Sequence, residues 1–429
     1  MPIGWKETVL KRATGFQVGW TPDTSKSEYF SGDLPWVTIG DLGEKIVNRT
    51  KSSITPEAVA TSSMSVTPRG SLMFSFKLSV GQVGFAGRDM YTNEAIASFL
   101  KSPAINLNYL YYAAPIFISA NASINIYGAK ILNQSTIANA PVYLPPMPEQ
   151  VKISKFLDDE TARIDTLINK QKKLLELLKE KRQAVISQAV TKGLDPDVPM
   201  KDSGVEWLGE VPAHWRVLRL QHLLQARPKN GLSPPLSEVG EIPTFSIAAV
   251  RQLKVEIGDN LKWVDVPISV AKEAHVREGD VLLLRGSGNQ SFVGKAGIVH
   301  EKPPKNCIFP DLLIRIVPSR EVDADYLVRT LSSSALRAQV ETSSATASGI
   351  WKVSGEAVSH WRLPVPPIEE QRMLVEYSRE VEVFTFAIKE RTEALQKLLR
   401  ERRSALITAA VTGQIDVTNY PSSEEPVAT

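Results

Sequence analysis

Residues 128–195 read GAKILNQSTIANAPVYLPPMPEQVKISKFLDDETARIDTLINKQKKLLELLKEKRQAVISQAVTKGLD, and residues 349–416 read GIWKVSGEAVSHWRLPVPPIEEQRMLVEYSREVEVFTFAIKERTEALQKLLRERRSALITAAVTGQID. A shift of 371 − 150 = 221 positions lays Gln150 on Gln371. Without a gap it also superposes Gly128 on Gly349, Pro145 on Pro366, Leu178 on Leu399 and Val190-Thr191 on Val411-Thr412. Chance does not give this agreement. The chain is two copies of one unit, and its function should be something done twice.

Each copy opens with a proline-rich stop, LPPMPEQ or LPVPPIEEQ. Prolines forbid helix just upstream and are tolerated where one starts. The segment after each stop has helical periodicity: Ile153, Leu157, Ile164, Ile168, Leu175, Leu178, Val185 and Ala189 form one apolar stripe, matched by Leu374, Val381, Ile388, Leu395, Leu399, Leu406 and Ala410. A helix from Gln150 to Val190 would be about 60 Å long, the length of a spacer. Its other faces carry Lys172, Lys173, Glu176, Lys179, Glu180, Lys181 and Arg182, a solvated or partner-facing surface. The stripes most simply pair with each other as an antiparallel coiled coil with pseudo-two-fold symmetry.

Outward from the repeat, the chain of 429 residues divides into an expected first globular unit at 1–143, a helical spacer at 144–192, a Pro/Gly/Asp-rich linker at 193–213, a second unit at 214–362, a second spacer at 363–416 and a disordered tail at 417–429. Short apolar runs such as LPWVTIG and SLMFSF alternate with turns, so the fold class is α+β, dominated by twisted strands. PRGSLMFSFKLSVGQVGFAG reads as strand, glycine-rich loop, strand. Weaker echoes link the units: RGSLMFSF with EGDVLLLR, GQVGFAG with SFVGKAG, and Asn108-Tyr109-Leu110 with Asp325-Tyr326-Leu327. The uncharged run around Tyr109 to Phe117 carries too many Asn and Pro interruptions for a membrane span and predicts a buried helix. Trp5, Trp20, Trp36 and Trp215 are expected in cores.

Composition narrows the chemistry. The chain is 43% hydrophobic and 23% charged, with a net charge of +3, which permits a nucleic-acid partner without demanding one. One cysteine, Cys307, excludes a disulfide framework and reads as a small buried residue. The N-terminus has no apolar signal core, so a cytoplasmic location is expected. Five scattered histidines give no metal-ligand spacing. No glycine fingerprint follows a strand at cofactor spacing, and neither a Walker motif nor an Asn-Pro-Pro-aromatic stretch is present. The expected catalytic residues, metal ligands and cofactors are therefore none.

Two diverged units, each closed by LPP...EQ or its variant and a long helix ending in K-x-K-R-x-A-[VI]-I-x-x-A-V-T or its near copy, with PMKDSGVEWLGEVPAHWRVLRL between them, resemble the DNA specificity subunit of type I restriction-modification systems. The resemblance covers essentially the whole chain. It implies two target recognition domains, each reading half of a split double-stranded DNA site, and helices that set the half-site spacing. It also implies docking of two modification (methyltransferase) subunits and association with restriction (endonuclease/translocase) subunits. The subunit itself is expected to be non-catalytic.

Base readout needs Arg, Lys, Asn and Gln on loops. The first unit offers Arg69, Lys77, Gln82, Arg88, Lys130, Asn133 and Gln134; the second offers Arg227, Lys229, Asn230, Arg251, Arg285, Ser287, Asn289, Gln290, Lys295 and Lys352. The densest group is Arg285 to Gln290, directly after VLLL, which could equally be a plain surface hairpin. The loops Tyr127 to Gln134 and Ser348 to Ser354, lying in the repeated block, suit fold support or phosphates better than bases. Partner docking would use exposed residues at the helix ends: Lys179, Lys181, Arg182, Gln188, Arg400, Arg402 and Arg403. From another class, an adaptor whose paired helices act as a ruler between two protein-binding domains also fits the residues, and a self-sufficient DNA enzyme fits them less well.

Overall fold

After Pro145-Pro146 and Pro366-Pro367 the chain enters helices of 46 and 44 residues, Met147–Lys192 and Ile368–Val411. The computed structural model describes residues 2–124, 130–235, 237, 240–251, 253–347, 349–417 and 419–420, without the side chains of 124, 130, 346 and 347. The loop 125–129, the side chain of Lys130, Ser348 and the tail residues 418 and 421–429, for which the sequence raises expectations, lie outside them. Two compact units result: Met1–Gln171 with Glu393–Thr429, and Lys172–Thr392. Each unit therefore holds one globular domain, the start of one long helix and the end of the other.

In the first unit, strands β1 (Phe16–Val18), β2 (Ile46–Val47), β3 (Leu72–Ser75), β4 (Val83–Ala86) and β5 (Ile96–Phe99) form a sheet in the order β1-β5-β3-β4-β2. Only the β2–β4 pair is parallel. SLMFSF thus becomes the central strand, with Leu72, Met73 and Phe74 fully buried. The run around Tyr109 becomes helix α1 (Leu107–Ala120), capped by Asn106. It packs its Tyr109, Leu110 and Ala113 into the core shared by Ile153 and Leu157 of long helix α2 (Met147–Lys192).

The second unit repeats the plan. Strands β6 (Leu224–Asn230), β7 (Leu253–Lys254), β8 (Val281–Leu284), β9 (Ala296–Ile298) and β10 (Leu313–Pro318) lie in the order β6-β10-β8-β9-β7, again with a single parallel pair, β7–β9. Helix α3 (Ala324–Leu331) is capped by Asp323, and long helix α4 (Ile368–Val411) comes after it. One sequence echo shifts in space. GQVGFAG and SFVGKAG align Phe85 with Lys295, but the ladder puts Phe85 opposite Leu72 and Ile298 opposite Val281. The longer loop of the second hairpin absorbs the difference of three residues.

The residues shared by the two copies hold each domain to its helices. Gln150 and Gln371 are buried to 1% and 0% exposure. The Gln150 side chain accepts from Asn106 N (2.7 Å) and donates to Pro145 O (2.9 Å); Gln371 accepts from Asp323 N (2.8 Å) and donates to Pro366 O (2.9 Å). Trp5 Nε1 donates to Glu149 and Trp215 Nε1 to Glu370. The Tyr109 hydroxyl reaches the carbonyls of Tyr143 and Val411, and that of Tyr326 the carbonyls of Pro364 and Val190. A buried tyrosine thus ties the domain to the end of the other long helix. The helix ends run antiparallel within the first unit: Arg403 pairs with Asp165 at 3.1 Å, while Ala410 and Val411 share the core of Ile153 and Leu157.

The stripe is less apolar than periodicity alone suggests. Leu395 is 47% exposed. Polar residues spaced by seven, Gln371, Ser378, Thr385 and Thr392, are buried instead. Ser378, Thr385 and Thr392 satisfy their hydroxyls on the carbonyl four residues earlier. Trp20 also departs from expectation: its residue is 58% exposed, and its backbone bonds its neighbours, the carbonyl accepting from Trp36 Nε1 at 3.2 Å and the N–H donating to Thr92 O at 2.9 Å. The linker packs as expected, through the Met200–Asp202 and Glu210–Pro212 hairpin and buried Leu208. The start of the tail does not dangle. Val417 is buried, and the Tyr420 hydroxyl donates to Asp159 Oδ2 at 2.8 Å, because these apolar bodies find Phe156 beside them.

Candidate nucleic-acid interface

The β3–β4 hairpin of the first unit separates its candidates into two groups. Lys77 and Gln82 lie at the turn, whereas Arg69 precedes β3 and Arg88 comes after β4, at the opposite end. All four are exposed. Ser75 organises the turn: its hydroxyl bonds Ser79 O and accepts from Gln82 N, and its carbonyl accepts from Gly81 N at 2.9 Å. At the other end, Arg69 N donates to Asp89 Oδ1 at 2.8 Å and Gly70 N to Ala86 O. Arg69 also lines an open cleft with Lys45, Lys101, Asn48 and Asn106.

Asn133 has a structural task. Its side chain accepts from Thr136 N in a capping box that starts the helix Gln134–Ala138. Ser354, its counterpart 221 residues on, caps Gly355–His360 in the same way. Gln134 is exposed on that first turn.

In the second unit the candidates converge. Gly286–Ser287 pairs with Ile350–Lys352, placing Gly286 opposite Lys352 and Ser287 opposite Trp351. A β-carbon on Gly286 would come within 3.1 Å of the Leu312 and Lys352 side chains, so glycine lets these two loops pack closely. Most polar side chains of the loop hold its shape. Arg285 Nη1 donates to Asp311 O (3.2 Å), Asn289 accepts from Ser291 N (3.0 Å), and Gln290 Nε2 donates to Ser344 Oγ (3.0 Å). Arg337, unremarked in the sequence, donates to Val293 O (2.6 Å) and Gln290 O (2.9 Å) and so anchors the loop from outside. Nothing in its local sequence marks it, since its role depends on the helix Ser334–Ser343 folding back.

Lys295 and Lys352 remain exposed. Burial, then the charges of Arg337 and Lys179, lower the Lys295 pKa. Crowded cations of this kind favour an anion. Arg227, Lys229, Asn230 and Arg251 lie apart: Lys229 pairs with Glu273 and Arg251 with Glu256.

On the long helices, Lys179, Lys181, Gln188, Arg400 and Arg402 are exposed, while Arg403 is engaged with Asp165. Arg182 lines a cleft with Arg329 and Arg379. There Arg329, 4% exposed, grips Glu382 with two bonds of 2.6 and 3.1 Å. Sequence reasoning missed an apolar surface: Leu174, Leu177, Val383, Phe384 and Phe386 are 47–70% exposed. The available signal was three large apolar residues within VEVFTF lying off the heptad stripe. Among the described residues no helix is long and apolar enough to cross a membrane, and no group of acidic, His or Cys side chains could hold a metal.

The family described as type I restriction modification DNA specificity domain matches residues 4–177. The chain is 26% identical over 301 residues to the type I restriction enzyme EcoKI specificity subunit of Escherichia coli K12, covering 69% of this chain and 62% of that one. It is 27% identical over 250 residues to the MjaIX specificity subunit of Methanocaldococcus jannaschii, covering 56% and 55%, and 20% identical over 423 residues to the MjaVIII specificity subunit of the same organism, covering 96% and 94%. The first two matches thus span about three fifths of those relatives' length. A chain from a study of complex assembly and conformational transition in the type I restriction-modification system shares the fold, with a TM-score of 0.72 at 16% identity over 96% of this chain and 99% of that one. The HsdS subunit of Thermoanaerobacter tengcongensis gives 0.56 at 16% identity, over 97% and 98%. The chain is thus similar over residues 4–177 to the type I restriction modification DNA specificity domain, the end of that stretch recurs 221 residues on, and the fold is shared with those two solved chains along nearly the whole length.

Proposed function

We propose that this chain reads a split site in double-stranded DNA, one recognition domain per half-site, and supplies no chemistry of its own. The observation that carries this reading is the duplication: two sheets of identical strand order, each tied by a buried glutamine and tyrosine to a long helix. The helices act as the spacer that fixes the half-site separation. Two modification (methyltransferase) subunits dock on them, with Leu174, Leu177, Phe384 and Phe386 as an apolar patch beside Lys181, and restriction subunits join through that assembly. The work is done in the cytoplasm, where the DNA is. Arg69, Lys77, Gln82, Arg88 and Gln134 in the first unit, and Lys295 and Lys352 in the second, are the exposed candidates for DNA contact, with half-buried Ser287 a further one.

A net charge of +3 gives the chain too weak a field to hold DNA tightly alone, because each phosphate contact contributes only about 0.9 to the salt slope. Tight binding therefore needs the partner subunits closed around the duplex. The test is duplex binding by the chain with and without its modification subunits, over a salt series. Sequence-selective, salt-dependent binding only in the complex is expected. A stable complex without sequence preference would refute the reading in favour of the adaptor.

A further inference from the structure

The turn between β3 and β4 carries a leucine with nothing to bury against. Leu78 is 93% exposed and sits at φ +57°, a left-handed conformation that crowds a β-carbon. A turn there would ordinarily use Gly, Asn or Asp. Yet the turn is fixed: Val80 N donates to Leu78 O and Gly81 N to Ser75 O, both at 2.9 Å, while the Ser75 hydroxyl bonds Ser79 O and accepts from Gln82 N. Strain that the surroundings hold in place points to function. Beside it stands exposed Lys77.

The hairpin in the same place in the second sheet, β8–β9, differs in length and sequence and repeats the combination. Phe292 is 44% exposed, with Lys295 Nζ 3.9 Å from its ring centroid. Arg337 grips the carbonyls on either side, at Gln290 and Val293, and Val293 is fully buried. Each domain thus presents, on a backbone held in place at this hairpin, an exposed apolar side chain next to a lysine. A single such residue is too small for a protein interface, which buries about 800 Å² per partner. It suits the DNA duplex, whose apolar base stack lies behind rows of phosphates.

Resting on the DNA-reading proposal, we propose that Leu78 and Phe292 are the apolar base contacts of the two recognition domains, with Lys77 and Lys295 on the flanking phosphates. The contact is to the apolar part of the bases, either a thymine methyl group or an opened base step.

The test uses the full chain in complex with its modification subunits and fluorescent duplexes carrying the site found by methylation mapping, against scrambled duplexes. Leu78→Gly removes the side chain and relieves the backbone. Its thermal midpoint should hold or rise while affinity for the site falls about tenfold and affinity for scrambled duplex stays within about twofold. Leu78→Met should bind as the wild type does, and Phe292→Ala should relax preference in the other half-site alone. Uracil in place of thymine costing the wild type the same factor identifies a methyl contact. A bend seen by energy transfer in the wild type and lost in Leu78→Gly identifies an opened step. Leu78→Gly binding the site with wild-type affinity overturns the inference while leaving DNA reading intact, whereas a wild-type complex without site preference overturns both.

Discussion

Gln371→Leu isolates the joint between a recognition domain and its spacer. The side chain is fully buried at the first turn of α4. Its Oε1 accepts from Asp323 N at 2.8 Å, and its Nε2 donates to Glu321 O at 3.0 Å and Pro366 O at 2.9 Å. Leucine fills nearly the same space but bonds none of these three backbone groups. Each lost bond removes about 1 kcal/mol, and a buried group left without a partner costs about 1–3 kcal/mol, so roughly 3–5 kcal/mol is expected. For a unit of this size, about 2–4 °C is lost per kcal/mol, which puts the fall in its unfolding midpoint at roughly 6–20 °C. Thermal unfolding of the purified chain, followed by tryptophan fluorescence and far-UV circular dichroism, measures it. Gln150→Leu should act alike on the first unit, since Gln150 bonds Asn106 N, Pro145 O and Ala104 O. A fall of less than about 2 °C in either variant would refute the view that these glutamines join domain to helix.

Arg329→Met leaves Glu382 without its partner and should cost about 3 kcal/mol, whereas adding Glu382→Leu should recover most of it; a double-mutant cycle by chemical denaturation decides. Burial pushes the Cys307 thiol up to about 12, while in the unfolded chain it ionises near pH 8.5. The folded pKa is the raised one, so this contribution is intact below about pH 8.5 and is lost as pH climbs toward 12, by about 1.4 kcal/mol per unit. Cys307→Ala should flatten that fall, and alkylation at pH 8.5 should need denaturant. Leu177→Ser with Phe384→Ser changes residues 51% and 66% exposed; stability should stay within about 0.5 kcal/mol while co-purification of the modification subunits is lost.

Much of the fold was legible because the repeat is ungapped where the physics is strictest. Gln150 and Gln371 must recur because each saturates buried backbone groups that only its own side chain fits. The heptad of Ser378, Thr385 and Thr392 was not legible, since hydroxyls that satisfy themselves on their own helix look like surface residues in a periodicity count. Nor was the three-residue register shift between the two hairpins, where a short glycine motif outweighed the ladder. In the candidate site, sequence chemistry named polar loop residues but not the structural tasks that several of them carry. Asn133, Asn289 and Gln290 had the composition of base readers and are spent on caps and loop closure. Leu78 was passed over because exposure and a left-handed backbone leave no mark in a residue's identity.

The central claim is that two domains on a fixed spacer read two half-sites. Genome-wide adenine methylation in a host expressing this chain with its modification subunit, compared with a host lacking the chain, tests it most directly. A new motif of two short half-sites at a constant gap is predicted, with the second half-site lost or changed when residues 214–362 are replaced. A stably formed complex that adds no methylated motif would contradict the account.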